Sequence, residues 1–306
     1  MRILITGAGG FLGKNLISHL KKKKFNLLLL NKSFKNLDIF LGQKFIVSKI
    51  EKINKKNLLK IKKFKPEVII NLAWEGIPDF SFKKSFKNLS SQIIFFQKII
   101  SINSIKKIIN IGSCWEYSKN TGQCKEYDEI SLQNFFIWAK ISILNFIKLC
   151  CKKKKINYIW FRIFYMYGPF QRCKSLIPSI LKSLKNLKKP NLLNPDNSND
   201  FVHVDDVCNA IIKAIKKKSA NGIFNIGSGK LTSVLYIYKS IIKEMNLTNL
   251  SKLNIDNINK KIFGQKNNFA CLSKIKKELN WKPLIEIDKG IKSLCLEVKN
   301  EKFYSK

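Results

Sequence analysis

Acidic residues are scarce in this 306-residue chain. Twenty Asp and Glu stand against 58 Lys and Arg, a formal net charge of +38. Arginine is scarcer still, with Arg2, Arg162 and Arg172 alone, so almost all the positive charge is lysine. Arginine is the side chain that forks phosphates and reads base edges, and its near absence argues against a specific nucleic-acid partner. The lysines accompany abundant Ile, Asn and Phe, as A/T-rich codons would produce. Runs at 21–24, 152–155 and 216–218 each close a helical pattern, where cations favour the carboxyl end. A polyanion-binding surface is the alternative reading of the same charge. Histidine occurs twice, as His19 and His203, too far apart in sequence to read as a metal pair. The eight cysteines (114, 124, 150, 151, 173, 208, 271 and 295) show no C-x-x-C spacing, and a chain of this length builds its core without disulfides. Reduced thiols and no metal site are therefore expected. No apolar run approaches the roughly 18–20 residues of a membrane span. The start, Met1-Arg2, passes straight into a strand and turn at Ile3–Gly7 rather than a signal peptide. These absences predict a cytoplasmic globular protein.

What is present is alternation. Short aliphatic runs at 3–6, 27–30, 44–47, 68–72, 107–111 and 158–163 read as strands. Amphipathic segments at about 11–22, 54–64, 89–104 and 135–151 read as helices between them. Strand–helix alternation of this kind predicts an α/β fold, a doubly wound parallel sheet covered on both faces. From about residue 170 the pattern changes. Pro178, Pro190 and Pro195 punctuate it, a polar loop spans 191–200, and a helix near 205–217 precedes a short strand near 223–226. The expected division is a dinucleotide-binding domain over 1–169 and a smaller substrate region over 170–306, with residues about 200–217 packing back on the first.

The clearest motif is Thr6-Gly7-Ala8-Gly9-Gly10-Phe11-Leu12-Gly13, between the first strand and the first helix. In that context Gly7 makes the tight turn and Gly10 admits a pyrophosphate to the backbone. Gly13 seats the helix on the sheet, and the amides of Phe11 and Leu12 open a helix that favours negative charge. The predicted ligand is NAD or NADP; an incidental glycine turn is the bland alternative. Asn31-Lys32-Ser33 follows the second strand, where an NAD enzyme places an acid on the ribose. Asn31 has no charge to repel a 2′-phosphate and Lys32 would attract one, which leans the choice toward NADP. Lys32 also reads as one more surface lysine.

Further segments resemble one family. Asn71-Leu72-Ala73-Trp74, Asn88, Gly112-Ser113-Cys114-Trp115-Glu116-Tyr117, Arg162–Pro169, Asp200–Asp206, Phe224–Gly229 and Trp281-Lys282-Pro283 follow the glycine turn in order. Together they are similar to extended short-chain dehydrogenases/reductases, the NAD-dependent epimerase/dehydratase family. Within it, the stretches at 72–78, 112–117 and 164–168 are similar to dTDP-4-keto-6-deoxyhexose reductases of the dTDP-6-deoxytalose type, which make deoxysugar nucleotides for surface polysaccharide. The resemblance implies a Rossmann fold, a nucleotide-sugar substrate and a homodimer formed by the helices at 89–104 and 135–151. It implies that Ala73 and Lys140 lie along the coenzyme, and that Ser113 and Tyr165 meet the substrate. Trp74 and Trp115 read either as walls of the substrate pocket or as core aromatics. Asn199 stands where the family has an Arg, and Arg172 and Lys174 are read as the contacts to the nucleotide diphosphate instead.

The implied reaction is hydride transfer at a sugar carbonyl coupled to proton transfer at its oxygen. The family's Tyr gives that proton, a Lys four residues later lowers its pKa, and a Ser or Thr holds the oxygen. Ser113 and Lys140 occupy the last two places, but the Tyr position is Phe136, which has no hydroxyl. Proton transfer then falls to Ser113, Tyr165 or a water, or the chain binds its ligands without turnover. Tyr117 and Tyr127 lack the spacing to Lys140. Lys140 also reads as a lysine snorkelling from a buried helix, and Ser113 as a strand-end cap. Cys114 and Trp115 stand where the family's 4,6-dehydratases carry Asp-Glu, which disfavours dehydration. Lys49 lies in or beside the slot where the family often has an acid for the adenine.

Overall fold

In the computed structural model, residues 1–33, 42–190, 192, 194–247 and 267–299 are described. The expected polar loop at 191–200 falls outside them at positions 191 and 193.

Aliphatic runs give the sheet. Its strands are β1 (Arg2–Thr6), β2 (Asn26–Asn31), β3 (Lys44–Val47), β4 (Val68–Asn71), β5 (Lys107–Ile111), β7 (Asn157–Ile163) and β11 (Gly222–Ile226). They pair in the order β11-β7-β5-β4-β1-β2-β3, every pair parallel. Because side chains alternate along a strand, neighbouring residues feed opposite layers. Ile3, Ile5, Leu27 and Leu29 meet α1 (Phe11–Lys21), α6 (Val204–Lys216) and α8 (Ser273–Leu279). Leu4, Leu28 and Ile69 meet α2 (Lys55–Phe64), α3 (Phe82–Ile99) and α4 (Phe135–Lys154). Helices on both faces explain why the strands read as unbroken apolar runs.

Helix ends follow local chemistry. Asn134 caps α4 by accepting from the Ile137 amide at 3.0 Å, and Lys155 ends it in the left-handed region with Lys152, Lys153 and Lys154 in the last turn. The helix expected at 89–104 instead runs Phe82–Ile99. Ser81 starts it, capping the Lys84 amide at 3.5 Å. Ile102 and Ile105 are buried, but in the turns that follow.

The other described elements build a satellite. Between the sheet strands lie β6 (Thr121–Cys124), β8 (Tyr165–Tyr167), α5 (Leu176–Lys185), β9 (Ser198–Asn199) and β10 (Phe201–His203). After β11 come β12 (Thr232–Ser233), α7 (Val234–Met245), β13 (Asn267–Ala270) and α9 (Ile287–Lys299). Helices α5, α7 and α9 share a separate core around Ile180, Ile241 and Leu294. Helix α6 packs on α1, where residues about 200–217 are expected, and β11 completes the sheet beside β7. Among the described residues no helix is long and apolar enough to cross a membrane. The eight cysteines form no disulfide.

Candidate functional site

Strand order reverses direction between β1 and β4, and a crevice opens at the carboxyl ends of the strands there. The glycine turn lies on it. Gly7 has φ +68°, and a Cβ on it would stand 2.7 Å from the Ala73 amide nitrogen. A Cβ on Gly13 would stand 2.5 Å from the carbonyl oxygens of both Gly7 and Ala8. Gly10 caps α1 with no side-chain acceptor, and the first turn of α1 carries no acid. The opening amides of α1 thus face the crevice with the positive end of the helix dipole behind them. A close, acid-free, amide-lined cradle fits a dinucleotide's pyrophosphate.

On the β2 side is a cavity of about 530 Å³, walled by Asn31, Lys32, Ser48, Lys49 and Glu51 and, opposite, by Ala73, Trp74, Glu75 and Asn88. Asn31 donates to the Ser33 carbonyl and fills the space a Gly9 Cβ would need. Lys32 and Lys87 each place Nζ 3.5 Å from a Glu75 carboxylate oxygen. Burial pushes the Glu75 pKa up, but the two lysines outweigh it and hold the carboxyl below its usual value. Asn88 brackets the backbone of Glu75, accepting from its amide at 2.8 Å and donating to its carbonyl at 2.9 Å.

On the β5 side is a second cavity of about 580 Å³. Asn71 at the end of β4 joins Thr6, Gln92 and Asn110 in one buried hydrogen-bond network at its base. Ser113, just after β5, accepts from the Trp115 amide at 3.2 Å, and its own amide donates to Glu116 at 2.8 Å. Glu116 is fully buried. It accepts from Arg162 Nε at 2.8 Å and from the Trp160 indole at 3.0 Å. Lys140 Nζ donates to the Ile111 carbonyl at 2.7 Å and lies 4.0 Å from the centre of the Trp74 ring. Burial lowers its pKa to about 7, with the Glu116 charge acting in the opposite direction. Phe136, one turn earlier on α4, packs its ring 5.3 Å from Trp74 and 5.0 Å from Phe80.

The structure brings Gly7, Gly10, Phe11, Leu12, Gly13, Ala73, Trp74, Ser113, Phe136, Lys140 and Arg172 to the walls of this second cavity, and Asn31 and Lys32 to the first. It does not bring Tyr165 there. Side chains alternate along β8, so Met166 faces the cavity, while the Tyr165 hydroxyl accepts from the Trp115 indole at 3.2 Å and its ring packs on Phe201. Nor does Tyr117 or Tyr127 reach it. Tyr117 is buried and donates to Asn225 at 2.6 Å, and Tyr127 is 80% exposed. Several wall residues escaped sequence reasoning. Glu51 adds an acid to the first cavity two positions beyond Lys49. Gln92 and Asn110 are polar side chains within or beside apolar runs, and that placement was the signal available.

The profile of the NAD dependent epimerase/dehydratase family matches residues 3–227. The dTDP-4-dehydro-6-deoxyglucose reductase of Escherichia coli is 23% identical over 97% of this chain and 97% of its own length. The CDP-abequose synthase of Salmonella muenchen is 23% identical over 96% of each. The crystal structure of UDP-glucuronic acid 4-epimerase from Bacillus cereus, in complex with UDP-glucuronic acid and NAD, superposes with a TM-score of 0.87. It covers 98% of this chain and 100% of that one at 22% identity.

Proposed function

The chain belongs to the NAD dependent epimerase/dehydratase family, and from that membership we propose an oxidoreductase or epimerase of a nucleotide-linked 4-keto-6-deoxyhexose, with dTDP as the carrier. The observation that carries the reading is Ser113 and Lys140 on one cavity wall beside the glycine turn. Gly7, Gly10, Phe11, Leu12 and Gly13 would hold the coenzyme's pyrophosphate, Asn31 and Lys32 its adenosine end, and Ala73 and Lys140 its nicotinamide end. When bound, the nicotinamide gives or takes a hydride.

The chain's own groups handle the sugar. The Ser113 oxygen already accepts from the Trp115 amide, so its proton is free to donate to the sugar oxygen. Arg172 on the cavity wall offers a fixed fork to the diphosphate. Trp74 offers an apolar face to a sugar that lacks its 6-hydroxyl. Dehydration needs an acid and a base at the reacting carbons. Among the described residues the second cavity is lined by no Asp or Glu, which favours hydride transfer without loss of water. The first cavity is lined by Lys14, Lys32, Lys49, Lys84 and Lys87 against Glu51 and Glu75. That balance favours NADP over NAD, although Lys32 is engaged by Glu75. Phe82, Phe86, Phe135 and Leu132 are exposed on or next to α3 and α4, and this face suits a homodimer contact.

The test mixes the protein with NADH or NADPH and dTDP-4-keto-6-deoxyglucose and follows absorbance at 340 nm. Coenzyme oxidation is expected. Phe136 favours one second reading, a coenzyme and nucleotide-sugar binder without turnover. Coenzyme binding with a flat trace would establish that reading instead.

A further inference from the structure

A carbonyl becomes a hydroxyl only if a proton arrives at its oxygen, and Phe136 cannot supply one. The second cavity limits the other sources. Among the described residues that line it, the titratable side chains are Lys140 and Arg172. A guanidinium holds its proton far above neutral pH. Tyr165, Tyr117 and Tyr127 do not line it: the Tyr165 hydroxyl sits against the Trp115 indole, from which it accepts, the Tyr117 proton is given to Asn225, and Tyr127 is exposed. Ser113 can hydrogen-bond the oxygen, but as an alcohol it cannot end the step as an anion without a base beside it. Lys140 is different. Its ammonium carries three donors, one of which goes to the Ile111 carbonyl. The Trp74 ring, at 4.0 Å, attracts the ammonium without taking its proton.

Resting on the reductase reading above, we infer that Lys140 is the proton donor of this site, transferring its proton directly to the sugar oxygen in the place of the missing tyrosine. The balance is simple. The carbonyl carbon gains a hydride from a reduced nicotinamide coenzyme, which is oxidised. The carbonyl π pair moves to oxygen and forms the O–H bond as a Lys140 N–H bond breaks, leaving its pair on nitrogen. Solvent then reprotonates the amine. The charged group that acts on Lys140 is Glu116 on the turn after β5, itself paired to Arg162 on β7 and felt by Lys148 further along α4; Arg172 shares the cavity wall, and Gln92 on α3 is neutral. Burial brings the ammonium to a pKa of about 7, which makes it a competent acid at neutral pH, as an ordinary lysine is not.

The test uses the full chain. With saturating dTDP-4-keto-6-deoxyglucose and reduced coenzyme, wild-type kcat falls tenfold per pH unit above about pH 7, because the ammonium is the active form. Lys140→Arg keeps a positive charge but holds its proton, so kcat at saturating NADH falls by about 10²–10⁴, whatever change in NADH Kd its place at the nicotinamide end brings. Phe136→Tyr restores a phenol on the wall and carries the plateau at least one pH unit higher. In coenzyme-free protein, the ¹⁵N resonance of the Lys140 amine titrates near pH 7. Lys140→Arg turnover within threefold of wild type, or an amine titrating above pH 9, overturns this assignment alone. Wild-type protein that binds NADH but never oxidises it overturns the reductase reading, and the assignment with it.

Discussion

Glu116→Gln tests how firmly the catalytic wall is built. Glu116 is fully buried beneath Ser113, and Arg162 is 2% exposed. The carboxylate bonds Arg162 Nε at 2.8 Å, the Ser113 amide at 2.8 Å and the Trp160 indole at 3.0 Å. Glutamine keeps the volume and one acceptor oxygen. Its amide group, however, presents donors to a shell made of donors, and the Arg162 charge is left buried without a counter-ion. Removing one member of a buried pair costs about 3–5 kcal/mol, against about 0–1 kcal/mol for a solvated surface pair. Urea unfolding of Glu116→Gln is expected to lose the larger amount. Replacing both members with apolar side chains, Glu116→Leu with Arg162→Met, should recover much of it, since that exchange is often neutral. A second readout follows the field. The Glu116 charge favours the Lys140 ammonium, so the alkaline limb of the rate profile moves to lower pH in Glu116→Gln. A stability loss below about 1 kcal/mol, with that limb unmoved, would refute both steps.

Three other outcomes are expected. Gly13→Ala drives its Cβ within 2.5 Å of two backbone oxygens that cannot swing aside; overpacking of this kind costs about 1–3 kcal/mol, and thermal unfolding together with NADH titration should show both stability and affinity falling. Lys107 is buried with Nζ bonded to the Ala214 carbonyl at 2.8 Å, and burial lowers its pKa to about 8. Between pH 8 and 10 the unfolded chain keeps this proton after the folded chain has lost it, so the lysine's contribution to stability rises with pH there; Lys107→Met should subtract that rise from the wild-type curve. Light scattering should give twice the chain mass for the wild type, and Phe82→Asp with Phe86→Asp should halve it, since both rings are exposed on α3.

The central strands were legible because they are buried on both faces. A run such as Lys-Ile-Ile-Asn-Ile carries no competing period, and β5 falls on the expected residues; the edge strand β3 does too, on its β-branched and aromatic content, although Phe45 and Val47 are exposed. Helix α3 was harder. Its first turns expose Phe82, Lys83 and Phe86 and bury only the polar Ser85 and Asn88, a pattern without an apolar inward face, while the buried Ile102 and Ile105 beyond it mimic one. The glycine turn could be read in sequence because only glycine suits its geometry. The Glu116–Arg162 pair could not, since its members lie 46 positions apart and a lone glutamate ordinarily faces water. Tyr165 lies one step of strand alternation from Met166, and pairing with β10 decides which of the two faces the crevice.

The seating of β11 against β7 has a consequence for how the molecule is born. When β7 leaves the ribosome, β5 covers one of its flanks and the other is bare. The strand that covers it emerges about 60 residues later, roughly 3–12 s at ordinary elongation rates of about 5–20 residues per second. For that interval a nascent chain displays an open strand rich in Trp160 and Phe161, the kind of margin that recruits a stray neighbour. A gene cut after residue 169 would make the interval permanent, and its product should gather into aggregates rather than stand alone as a nucleotide-binding half.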